Sequence, residues 1–138
     1  MSLPAVILDT NVFVAAAFNK GSASARIIDQ VRSGQLRMIW NNQTRRETQR
    51  ILSKIPRVSW NSVAELFREG DRYEGETFPE KFDYIPDPDD RKFAALAQAT
   101  GAVLITNDDH LLSNPHRAGL EILTPREFLD QQGTEQRE

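Results

Sequence analysis

The sequence contains no cysteine among its 138 residues, which excludes disulfide bonds and zinc sites built on thiolates. No apolar run approaches the ~20 residues that a membrane helix needs, and no basic segment followed by an apolar stretch opens the chain. The glycine-rich signatures GxxxxGK[ST] and GxGxxG of nucleotide-binding loops are also missing. We therefore expect a cytoplasmic protein without a nucleotide cofactor.

The net charge of −3 differs from the overall basicity that is typical of nucleic-acid-binding domains. This excludes little, because a protein that gathers carboxylates around a metal can still carry a local basic stripe. The length suits one domain that buries ~70% of its unfolded surface. Since residues 131–138 contain no apolar side chain, we predict one domain over residues 1–131 and a disordered tail over residues 132–138.

Short apolar segments alternate with helical patterns along the chain. Strands are predicted at residues 6–8, 36–40, 102–105 and 120–123, with a possible edge strand at 82–85. Helices are predicted at residues 11–18, from Ser22 or Ser24 to Gly34, at 43–54, 61–71, 89–100, just after 109 and at 125–129. This alternation predicts an α/β fold, a single doubly wound domain with a parallel sheet.

Carboxylates follow two of the predicted strands at the point where each strand ends. Asp9 follows strand 6–8, and Asp108 follows strand 102–105. In open α/β sheets ligands bind at the carboxyl ends of the strands, so both acids are expected at one crevice. The structural alternative is that they are turn residues, with Asn11 and Asn107 capping the helices that follow.

Two further acids are candidates for the same crevice. Asp87 and Pro88 suit the first positions of a helix, which leaves Asp90 as the acid most available to the crevice. Glu47 fits a capping box that begins at Thr44, a purely structural role. If Asn42 caps that helix instead, Glu47 lies one turn further in and faces the sheet edge.

Taken together, these acids predict a metal site. No lysine or arginine is dedicated to each of them, and like charges held close together favour either raised pKa values or a bound cation. Carboxylate oxygens without cysteine select Mg²⁺ or Mn²⁺, ions that typically act on phosphates. A basic run along the third helix and its exit is a candidate phosphate-backbone contact: Arg45, Arg46, Arg50, Lys54 and Arg57.

Four segments carry a resemblance to a known family: ILDTNVFVAAAF, TRRETQRIL, DPDDRKFAALAQATGAVLITNDDHLL and ILTPREFL. They resemble the PIN domain family and, more narrowly, the VapC-type toxins of bacterial toxin–antitoxin pairs. The resemblance implies a three-layer α/β/α fold with a central, mainly parallel sheet. It also implies a Mg²⁺- or Mn²⁺-dependent endoribonuclease of single-stranded RNA that leaves a 5′-phosphate and a 3′-hydroxyl.

The resemblance assigns the catalytic and metal-binding acids residue by residue. They fall on Asp9, Glu47, Asp90 and Asp108, whereas His110 stands where related sequences often have a further acid. A homodimer and a cognate antitoxin are the partners it implies beside RNA. Substrate positioning is expected from residues close to these acids in sequence: Thr10, Asn11, Thr106, Asn107, Arg45, Arg46 and Arg50.

Two other classes of protein also gather acids at the edge of a doubly wound sheet. Receiver domains need a second acid beside the first and a lysine after the last strand, and dehalogenase-like phosphatases need an acid where Asn11 stands. Both patterns fail. A PIN fold that binds RNA or protein without catalysis, and a housekeeping RNA-processing nuclease, stay open as alternatives.

Overall fold

The computed structural model describes residues 3–112 and 119–136. Four parallel strands form one sheet in the order β2-β1-β3-β4. The strands are β1 (Ala5–Leu8), β2 (Arg37–Met38), β3 (Val103–Ile105) and β4 (Ile122–Leu123). The helices in the described residues are α1 (Thr10–Phe18), α2 (Ala23–Arg32), α3 (Asn42–Ser53), α4 (Pro88–Thr100), α5 (Asp109–Leu112) and α6 (Pro125–Gln136).

Helices cover both faces of this sheet, so the predicted layered α/β architecture is confirmed. Alternate residues of β1 point to opposite faces: Val6 and Leu8 belong to one apolar cluster and Ile7 to the other. The first cluster packs side chains of α1, α2, α3 and α6 against the sheet, and the second packs mainly α4 and α5. None of the described helices is long and apolar enough to cross a membrane.

The helix predicted at residues 61–71 is wrong. Three separate 3₁₀ turns occupy this stretch, at Trp60–Ser62, Ala64–Leu66 and Glu69–Asp71. Tertiary contacts of Arg68 explain the difference: its carbonyl accepts from the indole of Trp40, and its guanidinium donates to the carbonyls of Val31 and Arg32 at the end of α2. These bonds hold the chain in a path that a continuous helix would not follow.

The edge strand predicted at residues 82–85 is also wrong. A 3₁₀ turn at Pro79–Phe82 precedes a tight turn in which the amide of Ile85 donates to the carbonyl of Phe82. Arg91 of α4 donates to the carbonyls of Asp83 and Ile85, at 3.0 and 2.9 Å. A side chain therefore satisfies the carbonyls that a neighbouring strand would have paired.

Element ends differ from the predicted ones in several places. Strand β2 is two residues long rather than five, although the backbone of Trp40 forms an isolated parallel bridge to Arg72. Helix α6 continues to Gln136, past its predicted end at residue 129, so residues 132–136 of the predicted tail belong to a helix. Ser22 caps α2, and Gly101 ends α4 in the left-handed conformation that glycine adopts readily.

Candidate metal centre

Strand order places the centre of the site between the ends of β1 and β3. The chain leaves β1 towards β2 on one side, whereas β3 lies on the other, so a crevice opens where the direction of winding changes. Asp9 follows β1, Asp108 lies shortly after β3, and the first turn of α4 brings Asp90 to the same edge. One carboxylate oxygen from each of these three lies within 4.8 Å of the others, and we call these residues the acid cluster.

Asp9 is the most buried member of the acid cluster, with 4% of its surface exposed. The hydroxyl of Thr106 donates to its Oδ2 at 2.8 Å, and the side-chain amide of Asn11 donates to the same oxygen at 3.3 Å. Burial raises the pKa of Asp9 to about 6, because desolvation of the carboxylate outweighs the hydrogen bond from Thr106. The carboxylate of Asp9 is thus held in one orientation and shielded from solvent.

Asp90 and Asp108 form the outer part of the acid cluster. Burial raises the pKa of Asp90 to about 8, with further contributions from a hydrogen bond to Asp108 and from the negative charges of Asp9 and Asp108. Asp108 is fixed by local bonds: its amide donates to the Thr106 hydroxyl, and its Oδ1 accepts from the amide of His110 at 2.9 Å. These acids disfavour one another's charge, and that is the condition a cation relieves.

The donor set fits a hard divalent cation. Across residues 3–112 and 119–136, no lysine or arginine forms an ion pair with any member of the acid cluster. Three carboxylates supply oxygen ligands, and neither cysteine nor histidine belongs to the group. Such a set suits Mg²⁺ or Mn²⁺ better than zinc, which favours nitrogen and sulfur.

Glu47 lies outside the acid cluster, and its surroundings correct two expectations. The cap of α3 is Asn41, which exchanges hydrogen bonds with Thr44, so Glu47 makes no capping box. The carboxylate of Glu47 is 5% exposed and is held by Arg50 at 2.7 Å, with the ammonium of Lys92 at 3.8 Å. The expectation that each acid lacks a dedicated cation is therefore wrong for Glu47.

A family model described as PIN domain matches residues 5–110, most of the chain. The chain belongs to the PIN domain family. PIN domains are typically metal-dependent nucleases, which agrees with the acid cluster at the sheet edge. Among solved structures, PAE2754 from Pyrobaculum aerophilum superposes with a TM-score of 0.53 at 17% identity, over 97% of this chain and 99% of that one, a likeness of fold alone. No curated protein matches the sequence.

The polar residues beside the acids of this PIN domain have structural partners that the sequence did not indicate. Asn11 lies within α1 rather than capping it, and its Oδ1 accepts from the amide of Asn107, which ties the ends of β1 and β3 together. Asp108 rather than Asn107 provides the side-chain acceptor at the start of α5. The hydroxyl of Thr10 is bonded to Thr48 of α3 at 2.9 Å.

The arginines of α3 divide between two sides of the helix. The guanidinium of Arg45 lies 5.3 Å from the ring centre of Trp60, away from the acids, whereas Arg46 and Arg50 line a cavity next to them. Lys92 of α4, which sequence reasoning missed, lines the same cavity and lies 3.8 Å from the carboxylate of Glu47. Its place three residues after Asp89, the spacing of a helical ion pair, was the available signal. His116 lies outside the described residues, and His110 is exposed.

The main cavity of the PIN domain, about 630 Å³, opens beside the acids. Asp9, Asp90 and Glu47 line it together with an apolar wall and with Arg126, a cation at the start of α6 that the sequence did not indicate. Its apolar wall consists mainly of Val14, Ala15, Ile51, Phe93 and Pro125. A cavity with carboxylates at one side and an apolar wall at the other has room for a nucleotide as well as a cation.

Proposed function

We propose that this PIN domain is a Mg²⁺- or Mn²⁺-dependent endoribonuclease that hydrolyses phosphodiester bonds of single-stranded RNA. The observation that carries the proposal is the acid cluster: carboxylate oxygens of Asp9, Asp90 and Asp108 within 4.8 Å of one another, with no paired cation in the described part of the chain. The cavity of about 630 Å³ beside the cluster, with its apolar wall, has room for an unstacked base of a single strand.

In this proposal Asp9, Asp90 and Asp108 would hold a divalent cation. The chemistry that Mg²⁺ or Mn²⁺ would supply there is polarisation of the phosphoryl oxygen, a lower pKa of water and neutralisation of developing charge. Thr106 and Asn11 orient the buried carboxylate of Asp9. The amide of Asp108 donates to the hydroxyl of Thr106, which fixes the position of Asp108 beside Asp9. In-line attack of water on the phosphodiester would leave a 5′-phosphate and a 3′-hydroxyl.

Glu47, the fourth acid assigned by resemblance, borders the same cavity from α3. Because both of its oxygens are bonded to Arg50, we place it beside the metal as a residue that orders the cavity wall. Thr10 and Asn107 are assigned the same supporting role, since each is bonded across elements at the sheet edge.

The sequence resemblance supports a finer proposal, that the enzyme is the toxin of a bacterial toxin–antitoxin pair. A toxin of this class acts in the cytoplasm as a homodimer and is silenced by a cognate antitoxin protein. Induced expression that stops growth in the wild type but not in the Asp9→Asn variant is the expected result. Normal growth with active wild-type protein would instead favour a housekeeping RNA-processing nuclease.

The activity itself is tested with purified protein and a panel of transfer, ribosomal and messenger RNAs in Mn²⁺, followed by mapping of cleavage sites. Wild-type protein is expected to cut at defined positions, and EDTA is expected to stop it. Asp9→Asn should be inactive while circular dichroism and thermal unfolding show an intact fold. Asp109→Asn, an exposed acid one residue from Asp108, is the matched control and should remain active. Equal cleavage by Asp9→Asn would overturn the proposal.

A further inference from the structure

A second cavity of about 500 Å³ continues the site along the surface between α3 and α4. Glu47 and Asp89 border both this second cavity and the main one, so the second cavity, which we call the groove, continues from the main cavity away from the acid cluster. On α3, residues spaced by three and four line the groove, which places them on a single helical face. Its lining includes three cations, Arg46, Arg50 and Lys92.

Two of these cations are held in place by acids. The guanidinium of Arg50 contacts Glu47 at 2.7 Å and Asp89 at 3.2 Å, and the ammonium of Lys92 lies 3.8 and 3.9 Å from the same two carboxylates. We call Glu47, Arg50, Asp89 and Lys92 the paired quartet. Its ion pairs link α3 to α4 across the groove, so the cationic groups are ordered before any ligand arrives.

Arg46 supplies the free positive charge of the groove. It is exposed, and in the described residues its guanidinium forms neither a hydrogen bond nor an ion pair. The charges of the paired quartet cancel, so Arg46 gives the groove a net positive charge directly beside a negative cluster. An exposed guanidinium with five free donors is well suited to a phosphate.

We propose that the groove between α3 and α4 binds a backbone phosphate of the RNA strand next to the one being cleaved, through Arg46 and Lys92, with Arg50 as a further donor. This rests on the proposed nuclease function, because the strand must pass through the acid cluster. Glu47 is a positioning residue here: it orients Arg50 and Lys92 rather than touching the RNA. The buried carboxylate keeps the two cations at a fixed place relative to Asp90.

The occupant that fits is a polyanion running continuously from the acid cluster. The negative charge of each phosphate near that cluster has to be neutralised. A metal would do this at the phosphate being cleaved, and the fixed cations of the groove would do it at the neighbouring phosphate. In this arrangement the two kinds of positive charge would serve neighbouring phosphates of one strand. An acidic protein segment would bind the groove alone, because it has no phosphodiester bond to place at the acid cluster.

Arg45 and Arg46 provide a matched pair for the test. They are adjacent and of one residue type, but Arg45 lies over Trp60 on the other side of α3. Binding of a short fluorescent single-stranded RNA is measured by anisotropy in Ca²⁺, at several salt concentrations, with a gel to show that the RNA stays intact. Arg46→Ala and Lys92→Ala are each expected to weaken binding about tenfold and to lower the log–log salt slope by ~0.7.

Arg45→Ala should leave both quantities unchanged, and Arg46→Lys should restore most of the affinity. In Mn²⁺, Arg46→Ala should raise KM with little change in kcat, which a general loss of structure would not produce. Glu47→Gln should lower RNA affinity while leaving Mn²⁺ affinity within about threefold. Thermal unfolding checks that each variant is folded, and Arg46 is exposed enough for its removal to leave the fold intact.

Equal RNA affinity and salt slope for the Arg46→Ala and Arg45→Ala variants would overturn the groove assignment even if the wild type cuts RNA. Absence of cleavage by the wild type, with RNA binding that still depends on Arg46, would overturn the nuclease and leave a phosphate-binding groove. Tighter binding of a polyglutamate peptide than of RNA to the same groove would also overturn the assignment, in favour of a protein partner.

Discussion

Asp89 and Asp90 are neighbours in the first turn of α4, yet they belong to opposite electrostatic environments. Asp89 is exposed and forms ion pairs with Arg50 and Lys92, as part of the paired quartet. Asp90 turns towards Asp9 and Asp108, where burial and like charges raise its pKa to about 8. One peptide unit therefore separates an acid with cationic partners from an acid in the cluster.

This contrast shows which acids are available to an external cation. In the paired quartet the protein's own guanidinium and ammonium groups satisfy the carboxylates, so a metal would have to displace them. In the acid cluster nothing in the described chain neutralises the charge, and both protonation and metal binding relieve it. The number of acids near an edge is thus less informative than whether each already has a cation.

The largest expected effect comes from replacing one acid of the acid cluster, and it is compared with the replacement of one acid of the paired quartet. Asp108→Asn should lower the rate of RNA cleavage about 10³-fold, because loss of a metal ligand removes several kcal/mol of transition-state stabilisation. Asp89→Asn should change the rate by less than about fivefold, since it weakens an exposed ion pair. Single-turnover cleavage in Mn²⁺ measures both, and similar losses in the two variants would remove the distinction.

The second prediction concerns pH and the metal-free protein. The pKa of Asp9 is raised from its ordinary value of 3.8 to about 6, so between these values the folded state binds more protons than the unfolded state. The free energy of unfolding contributed by Asp9 should therefore fall as pH rises from about 4 to about 6, by on the order of 2 kcal/mol.

Urea unfolding in EDTA at a series of pH values tests this. Asp9→Asn should lack that part of the pH dependence, so the variant should gain stability relative to the wild type as pH rises. Saturating Mn²⁺ at neutral pH should stabilise the wild type and not the variant. Parallel stability curves for the two proteins would contradict the environment assigned to Asp9.

A smaller effect is expected from the hydroxyl that orients Asp9. Thr106→Val removes the donor to Asp9 and the acceptor for the Asp108 amide with little change of shape. Mn²⁺ affinity measured by calorimetry should fall about tenfold, the lower range for a group that orients a metal ligand. Thr48→Val, which breaks an equally buried hydroxyl pair with Thr10, should leave that affinity unchanged.

The smallest effect is expected at the cap of α3, the helix that carries Glu47 and Arg50 of the paired quartet. Asn41→Ala should lower the free energy of unfolding by about 1 kcal/mol, because the amide that donates to its side chain loses its partner. Asn42→Ala should change it little, since Asn42 is exposed and lies within the helix. Urea unfolding measures both, and the reverse order would contradict the cap.

The sequence predicted the sheet and the convergence of three acids because both follow from local pattern. Apolar runs that end in polar residues mark β1 and β3, and parallel strands bring their carboxyl ends to one edge. Asp9 and Asp108 were placed by this rule, and Asp90 by its position in the first turn of a helix. Their chemical role stays a prediction until metal binding is measured.

Several of the remaining errors have a common physical cause, side-chain hydrogen bonds and ion pairs that the periodicity of a segment does not report. The bonds of Arg68 to α2 explain why the helix predicted at residues 61–71 does not form. The bonds of Arg91 to the carbonyls of Asp83 and Ile85 explain why the strand predicted at residues 82–85 does not form. Likewise the pairing of Glu47 with Lys92 joins two helices, and no local pattern around Glu47 indicates it. Periodicity reports which face of an element is apolar, not which partner meets its polar side chains.

The most direct measurement is the position of Mn²⁺ in crystals grown with the ion, located by its anomalous scattering. An ion bound by carboxylate oxygens of Asp9, Asp90 and Asp108, with Glu47 still paired to Arg50, is the predicted result. An ion bound between Glu47 and Asp89, or no ordered ion near Asp9 at saturating Mn²⁺, would contradict the account.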